Sequence, residues 1–228
     1  MSTLSVFKLV LLGAIWGSSF LFMREAAPEF GIYGLVEVRT VLATLFLLPF
    51  VLLRKQWADV KKYWRHIAVV GIINTAIPFV LFNYSSLHLE AGYNSILNAT
   101  APMFGAVIAF LWLTERLSRM AMLGLFVGFI GVVQLSWAKL AGGEVSFLPI
   151  ATALLATFCY GIAASYMKRF MQGIRPLAIA AGSQLFASIV LLPFALMTWP
   201  SEMPSQAAWL QTITLAIVCT GVAVYFVF

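Results

Sequence analysis

The sequence predicts an all-α integral membrane protein, from its composition, its low charge and the length of its apolar runs. Hydrophobic residues make up 62% of the 228 residues, charged residues make up only 10%, and the mean hydropathy is +0.98. Soluble domains carry roughly a quarter charged residues. Eight apolar runs are close to the length of about 20 residues that a helix needs to cross the hydrocarbon core. We therefore expect a bundle of eight transmembrane helices.

The first two predicted spans cover 6–23 and 34–53. The first is not a signal peptide, because it is long, contains Trp16 and Phe20, and lacks a small-x-small cleavage site before Arg24. The basic segment 54–66, RKQWADVKKYWRH, is typical of chain lying along a membrane surface. The remaining spans are predicted at 67–87, 95–114, 120–137, 147–167, 177–197 and 208–228.

The stretch 91–118 combines a span with polar residues inside it. Asn94, Asn98 and Thr100 recur at helical spacing, and an amide in lipid is costly unless it faces protein or water. Pro102 has no N–H to bond the carbonyl of residue 98, so we expect a kink there, and Pro78 predicts a kink in the third span. This polar side should face the interior of the bundle.

The distribution of Lys and Arg predicts a cytoplasmic N-terminus. With that orientation the outer loops hold only Arg24 and Lys139, as the positive-inside rule requires. The net charge of +6 then sets orientation, and we expect no nucleic-acid partner. We expect a multi-pass protein of a bacterial cytoplasmic (inner) membrane. The inner segments hold Lys8, Arg54, Lys55, Lys61, Lys62, Arg65, Arg116, Arg119, Lys168, Arg169 and Arg175.

An internal repeat appears when the sequence is shifted by 144 residues. The shift places the LLPF of 47–50 on that of 191–194, Gly17 on Gly161 and Trp16 on Tyr160. A first copy of five spans, an odd number, forces the second copy to enter the membrane inverted, as in secondary transporters. We expect a first repeat at 1–140, with five helices, and an inverted, incomplete repeat at 146–228, with three. The chain would then be a truncated form of a ten-helix (5+5) transporter.

Four stretches together resemble the EamA family of the drug/metabolite transporter superfamily. They are LLGAIWGSSFLF (11–22), VEVRTVLATLFLLP (36–49), NSILNATAPMFGAVIAFLWLTERLS (94–118) and GLFVGFIGVVQL (124–135). The resemblance implies a ten-helix bundle of inverted repeats that exports or exchanges metabolites, amino acids or drugs by alternating access. It also implies a central cavity lined by the first, third, fourth, sixth, eighth and ninth spans. The missing ninth and tenth spans depart from that pattern.

Depth in the membrane selects the candidate substrate-binding residues. Counting along each span places the midplane near Trp16, Pro78, Pro102 and Tyr160. The alternative is that asparagines join neighbouring helices and aromatic rings fill packing gaps. The candidates near these depths are Trp16, Ser19, Asn74, Asn83, Asn98 and Tyr160.

Two charged residues are further candidates. Arg39 is the only cation well inside a predicted span, and an intramembrane charge is by default a functional candidate. The alternative for Arg39 is a structural role, bonding carbonyls or snorkelling to the interface. Glu115 ends the fourth span and is a candidate for capping, ion pairing or coupling, against the alternative of a solvated helix end.

Enzyme and metal chemistry are not supported by the sequence. Cys159 and Cys219 lie in apolar runs without a CxxC or Cys/His cluster, so we expect no metal and no disulfide framework. His66 and His88 fall at opposite membrane faces, and there is no glycine-rich phosphate loop, so we expect no enzyme and no cofactor.

Two functions remain open at this point. The first is a secondary active exporter of small metabolites, such as amino acids, related amphipathic compounds or drugs. The second is a truncated, non-transporting membrane protein that acts as a remnant or interaction scaffold. The expected partners are a small-molecule substrate and the lipid bilayer. Gly124, Gly128 and Gly131 have small-x-x-x-small spacing, which favours close helix packing and makes the fifth span a candidate homodimer interface.

Overall fold

The computed structural model describes the backbone of residues 3–223 and the side chains of residues 6, 7 and 10–223. All regular secondary structure in this part of the chain is helical. The predicted end of the last span, 224–228, and the Lys8 side chain lie outside it. The helices are α1 Thr3–Leu53, α2 Trp57–Lys62, α3 Trp64–Ser86, α4 Ala91–Trp112, α5 Arg119–Ala141, α6 Phe147–Phe170, α7 Pro176–Met197 and α8 Gln206–Val222.

Six of these helices, α1 and α3 to α7, are long and apolar enough to cross a membrane. The protein is therefore an integral, multi-pass membrane protein. The number differs from the eight expected for two reasons. The first two predicted spans lie in the two arms of one long helical element, α1, and the described part of α8 is shorter than a full span.

Helix α1 is a hairpin of two helical arms, 3–30 and 32–53. Gly31 has φ 73° and ψ 177°, a conformation that essentially only glycine adopts. In a straight helix residues 23 and 39 would lie about 24 Å apart. Instead, Arg39 Nη1 is 3.7 Å from Met23 Sδ, so the arms run back along each other. The loop expected between the first two spans is wrong: residues 24–30 are helical and the chain reverses at Gly31.

Side chains from α3 and from the start of α8 hold this reversal in place. Asn83 is fully buried, and its Nδ2 donates to the carbonyls of Ile32 at 2.7 Å and Gly31 at 3.2 Å. The Glu29 carboxylate accepts from Ser205 N at 2.6 Å and from Ser205 Oγ at 2.9 Å. The carbonyls that a helix leaves unpaired at the turn are thus satisfied by a buried amide.

Ion pairs show which connections meet at one end of the bundle. Arg175 Nε lies 2.6 Å from Asp59 Oδ2, which joins the turn before α7 to α2. Lys168 Nζ lies 2.5 Å from Glu115 Oε1, which joins the end of α6 to the α4–α5 connection. The hydrogen bond from Arg175 holds the pKa of the Asp59 carboxyl below its usual range. The segments that the sequence predicts to be inner ones therefore lie together.

The centre and the edge of the bundle differ in packing. Helices α4 and α6 cross at Gly105 and Gly161, where a Cβ on Gly161 would lie 2.9 Å from Gly105 N. Helix α5 lies at the edge, with large apolar side chains exposed, among them Phe126 and Trp137. Of its glycines, Gly128 faces Met103 of the same chain, whereas open space surrounds Gly124 and Gly131.

Replacing Gly31 with alanine should destabilise the protein. The Gly31 backbone conformation is one that a Cβ makes unfavourable by about 1–3 kcal/mol. The expected result for Gly31→Ala is a lower free energy of unfolding in detergent micelles, measured by denaturant titration. The matched control is Gly92→Ala in the first turn of α4, where a Cβ would meet no atom within 4 Å and stability should be kept. Equal stability of the two variants would contradict the hairpin geometry.

Candidate functional site

A cavity of about 480 Å³ lies in the middle of the bundle. Both arms of α1 and helices α3, α4, α6, α7 and α8 contribute to its wall, and its volume is in the range of small-molecule sites. Aromatic rings and uncharged polar groups dominate the lining. The lining residues are Trp16, Ser19, Phe20, Met23, Arg39, Asn74, Thr75, Phe79, Phe82, Asn98, Ala99, Ala101, Pro102, Tyr160, Gln184, Cys219 and Thr220.

The structure brings most of the predicted substrate-binding residues to this one cavity. Trp16, Ser19, Asn74, Asn98 and Tyr160 all line it, although four different helices contribute them. They come together because each lies near the middle of its span and on the side that faces the other helices.

Asn83 is the exception, and the prediction that it contacts substrate does not fit its position. It is not among the residues that line the cavity, and its amide is used at the α1 reversal. Asn74 and Asn83 are nine residues apart, which places them on opposite sides of a regular helix. Depth along a span is the same for residues on the cavity side and on the opposite side of a helix, so it does not distinguish Asn83 from a cavity residue.

Helices α3 and α4 are both irregular where they meet the cavity. Helix α4 is interrupted at residues 99–100, between its segments Ala91–Asn98 and Ala101–Trp112. Helix α3 contains a π-helical turn, Gly71–Ala76, just before Pro78. Pro102 and Pro78 cannot donate a backbone hydrogen bond to Asn98 and Asn74, which lie four residues earlier. Pro102 lines the cavity, whereas Pro78 is buried outside it.

These two irregularities share a sequence pattern. Residues 74–78 read NTAIP and residues 98–102 read NATAP. In each case the asparagine lines the cavity four residues before a proline. An asparagine at that spacing in two neighbouring spans is a pattern that predicts Asn74 and Asn98 as a pair.

Arg39 is buried, with 6% of its surface exposed, and its guanidinium reaches the cavity wall. Its Nε donates to Thr220 Oγ1 at 3.0 Å, and its guanidinium carbon lies 3.7 Å from the centroid of the Phe79 ring. No carboxylate of the described residues forms an ion pair with it. The cavity thus contains a buried cation whose neighbours, in this part of the chain, are uncharged.

Gln184 of α7 is a cavity residue that the sequence analysis missed. It is 5% exposed, and its Oε1 has no hydrogen-bond partner among the described residues. It is the only amide side chain within Pro176–Met197. The cost of an amide in an otherwise apolar span, the argument that selected Asn98, applies equally to Gln184.

Aromatic rings form one side of the cavity, and most of them were not predicted. The Phe20 and Phe82 rings pack edge to face with centroids 5.1 Å apart, and Phe82 stacks on Tyr160 at 6.1 Å. The Phe79 ring lies against Arg39. Such rings offer apolar surface to a ligand, and their faces also attract cations.

Glu115 lies away from the cavity. Its carboxylate pairs with Lys168, and 40% of its side chain is exposed. Exposed ion pairs contribute little to stability. Within the described part of the chain, no group of three or more His, Cys, Asp or Glu side chains is placed to hold a metal ion.

The sequence is similar to a known family of membrane transporters. The model of the EamA-like transporter family matches residues 3–137 and 147–228. An uncharacterized transporter of Archaeoglobus fulgidus is 22% identical over 188 residues, covering 82% of this chain and 65% of that protein. A probable terminal-alkyne amino-acid exporter of Streptantibioticus cattleyicolor is 27% identical over 194 residues, covering 83% of this chain and 63% of that protein.

The chain also resembles a solved crystal structure, with a TM-score of 0.61 and 18% identity over 95% of this chain and 77% of the other. At that identity the likeness concerns the fold alone. The chain spans about two thirds of the length of the Archaeoglobus and Streptantibioticus relatives. Because the family match extends over nearly all of its residues, the chain belongs to the EamA-like transporter family of membrane proteins.

Proposed function

We propose that this protein is a secondary active exporter of small metabolites, amino acids or related amphipathic compounds, that works by alternating access. The observation that carries the proposal is the central cavity, where five aromatic rings and several polar side chains from most of the helices converge. A cavity in mid-bundle between repeats is where secondary transporters bind substrate. The relative named as a probable amino-acid exporter supports the substrate class.

In this proposal the substrate contacts Trp16, Ser19, Asn74, Asn98 and Tyr160. The amides supply hydrogen bonds in a setting where water is scarce, and the rings cover apolar parts of the substrate. The interruptions next to Asn74 and Asn98 are where α3 and α4 bend as access changes sides. Asn83 is left out because its amide holds the α1 reversal.

We further propose that the two arms of α1 are separate spans and that α8 is the eighth, within a ten-helix frame of two inverted repeats. Residues 1–140 would form the first repeat and 146–228 part of the second. Two pairs of residues related by the 144-residue shift support this frame: Trp16 with Tyr160, and Thr75 with Cys219. All four line the same cavity.

In the proposed orientation the protein lies in an inner membrane with its N-terminus in the cytoplasm. The end of the bundle that carries the Arg175–Asp59 and Lys168–Glu115 ion pairs also faces the cytoplasm. This orientation can be tested by labelling single cysteines in whole cells with an impermeant maleimide, in a background lacking Cys159 and Cys219. Glu202→Cys, in the exposed connection before α8, should be labelled in intact cells. Lys61→Cys, exposed on α2, should be labelled only after permeabilisation. The reverse pattern would overturn the orientation.

Transport itself can be tested with the full chain in proteoliposomes preloaded with radiolabelled leucine, methionine or phenylalanine. We expect saturable efflux of at least one of them, with only linear leakage from protein-free liposomes. An absence of saturable flux for these amino acids and for neutral drug-like amines would favour the alternative, a non-transporting membrane protein.

The roles of Asn98 and Asn83 should separate in the same assay. Asn98→Ala should raise KM about tenfold through loss of a hydrogen bond to substrate, with little change in unfolding free energy. Asn83→Ala should lower the unfolding free energy by about 1–3 kcal/mol, since the carbonyls of Gly31 and Ile32 lose their donor, with KM unchanged. Full activity of Asn98→Ala at low substrate concentration would count against its place in the site.

A further inference from the structure

The wall of the cavity contains a cation that no described acidic side chain neutralises. We propose that Arg39 and Gln184 form a subsite for a carboxylate, so that the transported compounds are small monocarboxylates, including zwitterionic amino acids. This inference rests on the proposed transport function and specifies its substrate class. It is carried by the contacts of the Arg39 guanidinium, the unpartnered amide oxygen of Gln184 and the composition of the cavity wall.

The contacts of Arg39 involve its Nε, its guanidinium carbon and, more weakly, its Nη1. Its Nε donates to Thr220 Oγ1, and its guanidinium carbon lies over the Phe79 ring. The contact of Nη1 with Met23 Sδ, at 3.7 Å, is weak because a thioether is a poor acceptor. The two terminal nitrogens therefore remain to donate a pair of parallel hydrogen bonds, the geometry in which arginine binds a carboxylate.

Gln184 brings a second polar group to the same cavity from a neighbouring helix. Helix α7 packs against the second arm of α1 through Val36, Ala187 and Leu191, so the two side chains enter the cavity from adjacent helices. Among the described residues the Gln184 Oε1 accepts no hydrogen bond, and the Nε2 group of the same amide can donate. In the proposed subsite this Nε2 group donates a hydrogen bond to the bound carboxylate.

The rest of the lining favours a carboxylate over a phosphate or an organic cation. Arg39 is the only charged residue in the described cavity wall, which suits a single negative charge better than a dianion. A ligand whose only charge is positive is disfavoured beside Arg39, because like charges repel strongly where the dielectric constant is low. Asn74 and Asn98 can accept from the amino group of a zwitterion, and the rings of Trp16 and Tyr160 can cover its side chain.

A purely structural role for Arg39 makes a different prediction. If the guanidinium serves only to join α1 to Thr220 of α8, its replacement should lower stability without changing which ligands bind. Ligand-dependent stabilisation separates the two roles, because a compound that binds only the folded state raises its melting temperature by mass action.

The test is the shift in melting temperature of the detergent-purified full chain with sodium butyrate, compared with butyramide and with sodium chloride at the same ionic strength. We expect butyrate alone to raise the melting temperature of the wild type. Arg39→Gln should abolish the butyrate effect. Arg39→Lys and Gln184→Met should each raise the apparent Kd for butyrate about tenfold, the effect of losing a charge-assisted hydrogen bond.

Arg119→Gln is the matched control, since it removes one positive charge from an exposed position at the start of α5 and should keep the full butyrate shift. An equal shift in Arg39→Gln, an equal shift with butyramide, or no butyrate shift in the wild type would overturn the subsite. If Arg39→Gln does not fold, unchanged butyrate affinity in both Arg39→Lys and Gln184→Met would overturn it instead.

The proteoliposome assay separates this inference from the transport proposal. A butyrate shift that depends on Arg39, without saturable flux, would leave the subsite standing and overturn the exporter. Saturable amino-acid flux that is unchanged in Arg39→Gln would leave the exporter standing and overturn the subsite.

Discussion

The structure depends on the absence of water from the hydrocarbon core, which leaves each polar group inside a span to be satisfied by the protein. Most hydroxyl groups meet this requirement within their own helix. Ser18, Thr44 and Thr212 donate to the carbonyls of residues three or four positions earlier. Against that background, the buried side-chain atoms without a partner among the described residues stand out, and one of them, Gln184 Oε1, belongs to a residue that lines the central cavity beside the buried cation Arg39. An unpaired amide in a cavity wall is a group that a ligand can satisfy.

Breaks in the helices follow the same requirement. At Gly31 the chain reverses, and the amide of Asn83 satisfies the carbonyls of the turn. At Pro78 and Pro102 the backbone donor is missing, and an asparagine one turn earlier faces the cavity. An asparagine therefore accompanies each break, but with different consequences. At the reversal the amide is used internally, whereas beside the prolines it is directed towards space that a substrate can fill.

The sequence predicts the parts of this molecule that depend on local properties. The positions of helices α3 to α7 follow from hydropathy, and depth along the spans was enough to bring Trp16 and Tyr160 to one cavity. Asn83 was misplaced because depth says nothing about the side of a helix, and the π turn in α3 shifts the phase of the residues after it. The reversal at Gly31 depends on one residue's backbone angles and on tertiary contacts, which hydropathy does not contain.

The single-residue reversal at Gly31 also determines where the protein can be cut or extended. The preceding residue, Phe30, packs edge to face against Trp199 and Trp209, and the residues on both sides of Gly31 are helical, so the turn offers no extended segment to a protease or an antibody. The connection between α5 and α6 is different, since Gly142 and Gly143 are exposed and lie outside the helices. A fusion domain or an epitope inserted there would lengthen an existing turn, whereas one inserted at Gly31 would separate the two arms of α1.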